Sequence, residues 1–212
     1  MEDNIGYTGD SPANIDYIGI LNYFERNREI PYSNPDDPSL SWEERNRLLE
    51  IKQNGQNAVN EMKKIAAEAA DRFALNKCSP IKWLDGSNTK TRNYLWAQMR
   101  YDAYSDSHVS ISLFVECNPE GAPVFRVSLE LKDDDASPAE IDQYHKHLNM
   151  PLNSADGLVY VTGNNIYGRP FAINETAEKL KTKIAAGEIR RVQIRMDDSL
   201  RIELLLRLDS SL

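Results

Sequence analysis

Glu130 and Lys132 lie one residue apart in the stretch SLELKDDD, residues 128–135. An acid and a lysine at that spacing, near the end of a strand, are how E-x-K nucleases present a metal ligand beside a catalytic lysine. The same spacing is ordinary on the solvent face of any strand. A second acid close to Glu130 would separate the two readings, because a catalytic divalent cation needs more than one carboxylate or phosphate oxygen. The register of the surrounding hairpin can be read from its apolar rows. Matching apolar to apolar pairs Val109 with Leu131, Ile111 with Leu129, Leu113 with Val127 and Val115 with Phe125. Ser110 then lies opposite Glu130, and His108 opposite Lys132. Asp106 is four residues from the position facing Glu130, roughly 13 Å at about 3.3 Å per residue, and Glu116 six residues, roughly 20 Å. Neither acid shares an ion with Glu130 in that register. The pair therefore reads as strand surface, with the metal-dependent nuclease kept as an alternative.

A second constellation is IKWLDGSNTKTRNYLWAQMRY, residues 81–101. It interleaves Lys82, Lys90, Arg92 and Arg100 with Trp83, Tyr94, Trp96 and Tyr101 around a turn-forming Asp85-Gly86-Ser87-Asn88. Cations and loop amides hold phosphates. Aromatic walls hold a base taken out of its stack. The candidate DNA-contacting residues are Lys82, Trp83, Lys90, Arg92, Tyr94 and Trp96. The competing reading makes the two tryptophans core residues and the cations solvated.

Other chemistry finds little support. His145 and His147 are two apart on an expected helix, about 200° around it, so they do not share a metal as an i,i+4 pair does. Asp133, Asp134 and Asp135 lead into a capped helix, where acids are favoured by the helix dipole. Neither a phosphate-binding G-x-x-x-x-G-K-[ST] loop nor a dinucleotide-binding G-x-G-x-x-G is present. No catalytic residue, metal or cofactor is expected.

The elements that must position these residues follow from periodicity. Residues 1–13 read as a loose tail. A helix is expected over 15–27, with Ile15, Ile18, Leu21 and Phe24 as its stripe. Three prolines make 30–39 a loop. Ser41 and Glu44 form a capping box for a helix to about residue 53, which Asn54-Gly55 interrupts or ends. Val59, Met62, Ala66, Ala69 and Phe73 mark a core-facing helix over 57–75. From residue 93 the period becomes two: Leu95, Ala97 and Met99 form an apolar row, followed by the hairpin around residues 117–123. Ser137, Pro138 and Glu140 start a helix over 138–148. A short strand at 158–161 follows, then a helix from an Asn174 cap to Ala186 closed by Gly187, then a hairpin centred on 197–199. The whole is a single α+β domain, 1–212: N-terminal helices on a largely antiparallel sheet of about five to six strands, with two interposed helices.

The net charge of −8 over 212 residues argues against indiscriminate attraction to a phosphate backbone. The charge is uneven: residues 77–104 hold five Lys/Arg against two Asp, and 164–212 nine against seven acids. Two cysteines make no disulfide framework. There is no leader-like segment and no apolar run near the roughly 18 residues of a membrane span, so a cytoplasmic protein is expected.

The phrases RNYLWAQMRY, HVSISLFVE, FRVSLELK and YHKHLN give residues 81–162 a resemblance to the N-terminal target-recognition region of modified-cytosine (McrB-type) bacterial restriction ATPases. That resemblance implies a module that binds double-stranded DNA and reads a modified cytosine, while a separate motor hydrolyses nucleotide and a partner subunit cuts. No motor motif is present here, so it implies an isolated recognition module of a bacterial anti-phage restriction system. An acidic adaptor that binds a basic protein is the further alternative.

Overall fold

The computed structural model describes residues 15–75, 77–104, 106–117, 123–132, 135–150, 152, 158–162, 171–172 and 175–196. The chain is α+β, with N-terminal helices ahead of an antiparallel sheet. Helix α1 spans Tyr17–Asn27 and α2 Trp42–Arg72. The strands are β1 (Lys77–Cys78), β2 (Tyr94–Arg100), β3 (Val109–Cys117), β4 (Pro123–Leu131), β5 (Leu158–Thr162), β6 (Phe171–Ala172) and β7 (Val192–Met196). Helix α3 (Pro138–His145) runs on into a 3-10 turn over Lys146–Asn149, and α4 spans Ala177–Ala185. Among the described residues the sheet order is β1-β2-β3-β4-β7-β5-β6, every neighbour antiparallel. Five strands are of full length; β1 and β6 have two residues each. The expected tail, Asn174 and the second strand of the 197–199 hairpin lie outside the described residues.

Helix α1 begins at Asp16, whose carboxylate accepts from the Gly19 amide at 2.7 Å. The expected stripe is displaced: Ile18 is 61% exposed, and Ile20, Tyr23, Phe24 and Asn27 are buried. Of that stripe Phe24 is in the core and Leu21 packs against its margin, but residues repeating every three positions drift by about 60° per step around a helix of 3.6 residues per turn, so Ile15, Ile18, Leu21 and Phe24 spread beyond one face. Ile20, Tyr23, Phe24 and Asn27 follow the i, i+3, i+4, i+7 spacing that stays on one.

Helix α2 corrects the expected break at Asn54-Gly55. It is one helix of 31 residues, about 46 Å long at 1.5 Å per residue. Its capping box forms as expected: the Glu44 amide donates to Ser41 Oγ at 3.2 Å, and the Ser41 amide to the Glu44 carboxylate at 3.0 Å. Gly55 is there for packing. A Cβ at that position would lie 2.4 Å from Cε3 of Trp83, so the missing side chain admits the indole against the helix. Val59, Met62 and Ala66 are buried as expected, but Phe73 is the C-cap and 59% exposed.

One face of the sheet carries both cores. Ile20, Phe24, Met62 and Ala66 pack on Leu95, Ala97, Met99 and Val115. The register Met99–Ile111–Leu129–Ile194–Tyr160 continues that face to a second cluster of Leu148, Tyr160, Leu180, Ile189 and Val192, beneath α3 and α4. The β3–β4 pairing is the expected one, with Ser110 opposite Glu130 and Val109 opposite Leu131. Helix α4 is capped by Thr176, whose hydroxyl accepts from the Lys179 amide, and it ends before Gly187 at φ +72°.

The start of α3 is tied to the start of β3. Glu140 closes a capping box on Ser137, and its other oxygen meets His108 Nδ1 at 3.0 Å. The Ser137 amide first, then the His108 ring, hold its carboxyl down at about 2 against an ordinary 4.5.

Two outcomes are expected. A mid-helix glycine normally gains about 0.5–1 kcal/mol on replacement by alanine, whereas Gly55→Ala should lose about 1–3 kcal/mol from overpacking against Trp83, read by urea unfolding. Because its folded pKa is depressed, Glu140 stabilises fully above pH 4.5 and loses that effect as pH falls towards 2. The melting temperatures of wild type and Glu140→Gln should therefore differ most above pH 5 and converge in acid.

Candidate nucleic-acid interface on the second sheet face

Alternation on β2 turns Tyr94, Trp96, Gln98 and Arg100 away from the buried row Leu95, Ala97, Met99. The register carries this second face across β3 through Ser110, Ser112, Phe114 and Glu116, and across β4 through Arg126, Ser128 and Glu130. The face was expected to be wet, yet much of it is buried: Ser110, Ser112, Phe114, Arg126 and Ser128 are all below a tenth exposed.

Its centre is a row across three strands, Trp96–Phe114–Arg126. Trp96 stacks on Phe114 with centroids 5.3 Å apart and planes 11° apart. The Arg126 guanidinium lies over the Phe114 ring at 3.6 Å from its centroid, a cation–π contact. Arg126 also grips both neighbouring acids. Its Nε and Nη2 donate to the two oxygens of Glu116 at 2.6 and 3.0 Å, and its Nη1 donates to Ser128 Oγ at 2.9 Å and to Glu130 at 3.0 Å. Ser128 donates to the same Glu130 oxygen, and Gln193 of β7 donates to the other.

This network decides what Glu130 does in the fold. Both its oxygens accept from Arg126, Ser128 or Gln193. Lys132 is exposed and paired with Asp135. The acid and the lysine of the E-x-K spacing thus take part in separate interactions. Glu116, expected to be remote from Glu130, is joined to it through Arg126. Among the described residues no group of three or more His, Cys, Asp or Glu is arranged to hold a metal. The rings of His145 and His147 lie with centroids 6.2 Å apart, at the step from α3 into the 3-10 turn. Burial holds both rings below their ordinary pKa.

The six expected contact residues fall into three groups. Trp83 belongs to the core side, wedged over Gly55 and edge-on to Tyr32 at 4.9 Å. Lys82 and Lys90 are exposed at either end of a tight turn. Arg92, Tyr94 and Trp96 lead from that turn onto the second face: Arg92 donates to the Leu84 carbonyl at 2.6 Å and to the Tyr94 hydroxyl at 3.3 Å, and lies over the Tyr94 ring. Among the described residues no strand residue pairs with Trp96 on the outer edge of β2, since the β1 pairing reaches only Met99 and Arg100. Trp96 Nε1 is buried without a hydrogen-bond partner among the described residues.

The turn itself departs from expectation in one respect. Its amides were candidates for phosphate, but the Asp85 side chain accepts from the Thr89 and Lys90 amides at 2.9 and 3.4 Å, and the Asp85 carbonyl from the Asn88 amide at 3.1 Å. Those amides are used internally, with Asn88 at φ +56°. The base of the turn is stapled to the α1–α2 connection: fully buried Thr91 accepts from the Ile30 amide at 2.8 Å and donates to the Asn27 carbonyl.

Phe114, Arg126 and Gln193 are not singled out by the sequence, and Glu116 is weighed there only as a second metal ligand. The signal for two of them was in the expected register, which sets Arg126 directly opposite Phe114. No protein family, curated protein or solved structure matches the chain.

Arg126→Met should leave two partly buried carboxylates without their cation and destabilise by about 3–5 kcal/mol. Lys132→Ala, on an exposed pair, should stay within about 0.5 kcal/mol. Paired urea titrations check both.

Proposed function

We propose that the chain is a DNA-recognition module of a bacterial, cytoplasmic restriction or defence system, reading a modified cytosine in double-stranded DNA and leaving catalysis to a motor or nuclease partner. The observation that carries this reading is the continuous run from exposed Lys82 and Lys90, through Arg92 on Tyr94, to Trp96 stacked on Phe114 at the open edge of β2. Lysines on an exposed, pre-formed turn can reach phosphates without being buried in the protein. An aromatic edge beside them suits an extruded base, whose stacking is worth roughly 1–3 kcal/mol. In this reading Arg92 positions Tyr94, and Trp83 supports the turn from beneath. The net charge of −8 keeps non-specific affinity low, so that the few local cations and the base contact supply selectivity. Among the described residues no helix is long and apolar enough to cross a membrane.

Titrating plain and cytosine-methylated duplexes at several salt concentrations tests the proposal. Lys90→Gln should weaken both duplexes alike and reduce the slope of log affinity against log salt by about one. Trp96→Leu, checked for folding by its melting curve, should lower the preference for modified DNA and leave the salt slope unchanged. Unchanged preference in folded Trp96→Leu would remove the base-reading role. Magnesium-dependent cutting that disappears in Lys132→Ala would overturn the non-catalytic reading in favour of the E-x-K nuclease.

A further inference from the structure

The helix-bearing face of the sheet is not filled everywhere. Where the first core cluster ends and α3 begins there is a concave pocket of about 450 Å³. Its floor is apolar, made by Leu75, Met99, Val109, Ile111 and Leu129. Tyr144 and His147 form one wall, and Tyr101, Tyr104 and Met150 also line it. Those last three are 44%, 64% and 57% exposed, so three large apolar side chains gather around one opening. Exposed apolar groups scattered singly need no explanation, but a cluster around a hollow does. An apolar pocket of this size with a few polar groups is the usual form of a small-molecule site.

The charge at the pocket is one-sided. The protein has 33 Asp and Glu against 25 Lys and Arg, yet the pocket is lined by Arg100 and Lys146 and by no carboxylate among the described residues. Arg100 belongs to the other face of β2 and borders the pocket at the strand end, where its Nε donates to the carbonyls of Ser107 and Val109 at 2.9 and 3.0 Å, so the exposed cation at the rim is Lys146. Lys146 donates to the Gln143 side chain at 2.6 Å. His147 adds no charge: its Nδ1 lies 2.6 Å from the Tyr144 carbonyl, so that nitrogen donates, and burial favours the neutral ring.

We propose that this pocket binds a small amphipathic anion, a flat apolar ring system carrying one carboxylate. The ring lies over Met99 and Ile111 between the tyrosines, and the carboxylate meets Lys146 at the rim. Aromatic walls suit a flat ring through edge and offset stacking, and the thioethers of Met99 and Met150 adapt to its outline. The site sits on the face opposite the DNA-reading one, so the two proposals stand independently.

Calorimetric titration of the full chain with naphthoate, naphthol and acetate separates the parts of the recognition. Naphthoate should bind saturably, naphthol at least about tenfold more weakly, and acetate not at all. Lys146→Glu should weaken naphthoate by more than about tenfold and leave naphthol unchanged. Tyr104→Ala should weaken both. Each substitution is at an exposed position, and melting curves verify folding. Absence of saturable naphthoate binding, equal affinity for naphthoate and naphthol, or an unchanged naphthoate affinity in either folded variant overturns the proposal.

Discussion

One buried cation organises the sheet. Arg126 has only 6% of its side chain exposed, and an arginine in that position needs every polar contact it can make. It finds them on two strands: Glu116 on β3, Ser128 and Glu130 on its own β4. Glu130 extends the network to Gln193 of β7, and the Phe114 ring takes the cation's flat side. Slipping β4 by one residue against β3 would turn Arg126 into the apolar core and Leu129 out of it. Ionic contacts of this kind add little net stability over an apolar replacement, but they penalise the one-residue slip that would bury the cation among apolar side chains. Apolar rows on one face and charges on the other thus specify the same pairing.

Much of this was legible in the sequence. Two capping boxes, the strand alternation and the β3–β4 register follow from local rules and are found in place. What was not legible depended on contacts distant along the chain. Asn54-Gly55 carries a breaker signal, and only Trp83, folded back against it, makes the glycine a packing feature of an unbroken helix. Alternation assigns Arg126 and the serines to the second face, but it does not say that this face closes into a buried network. The three-residue repeat in α1 held for Phe24 and in part for Leu21 but not for Ile18, because a period of three drifts around an α-helix.

The candidate site divides in the same way. Residue types identified the aromatic and basic segment, and alternation oriented Tyr94 and Trp96 correctly. The separate destiny of Trp83 needed the fold, because two tryptophans in one segment look alike until one meets Gly55. E-x-K illustrates the opposite hazard. Its spacing is compatible with chemistry, but the donors that reach Glu130 come from positions that spacing does not record.

The turn between Lys82 and Arg92 carries a thermodynamic consequence. Asp85 accepts from the Asn88, Thr89 and Lys90 amides, Asn88 takes the left-handed backbone, and Thr91 locks the base of the turn to the end of α1. Holding a residue in one backbone conformation costs about 1–2 kcal/mol of entropy, and here that loss is incurred at folding. A slack loop with the same lysines would incur it at each encounter, and its apparent affinity would fall accordingly. Whatever Lys82 and Lys90 meet, they meet it from a backbone already ordered, so that only side-chain freedom is left to lose on contact.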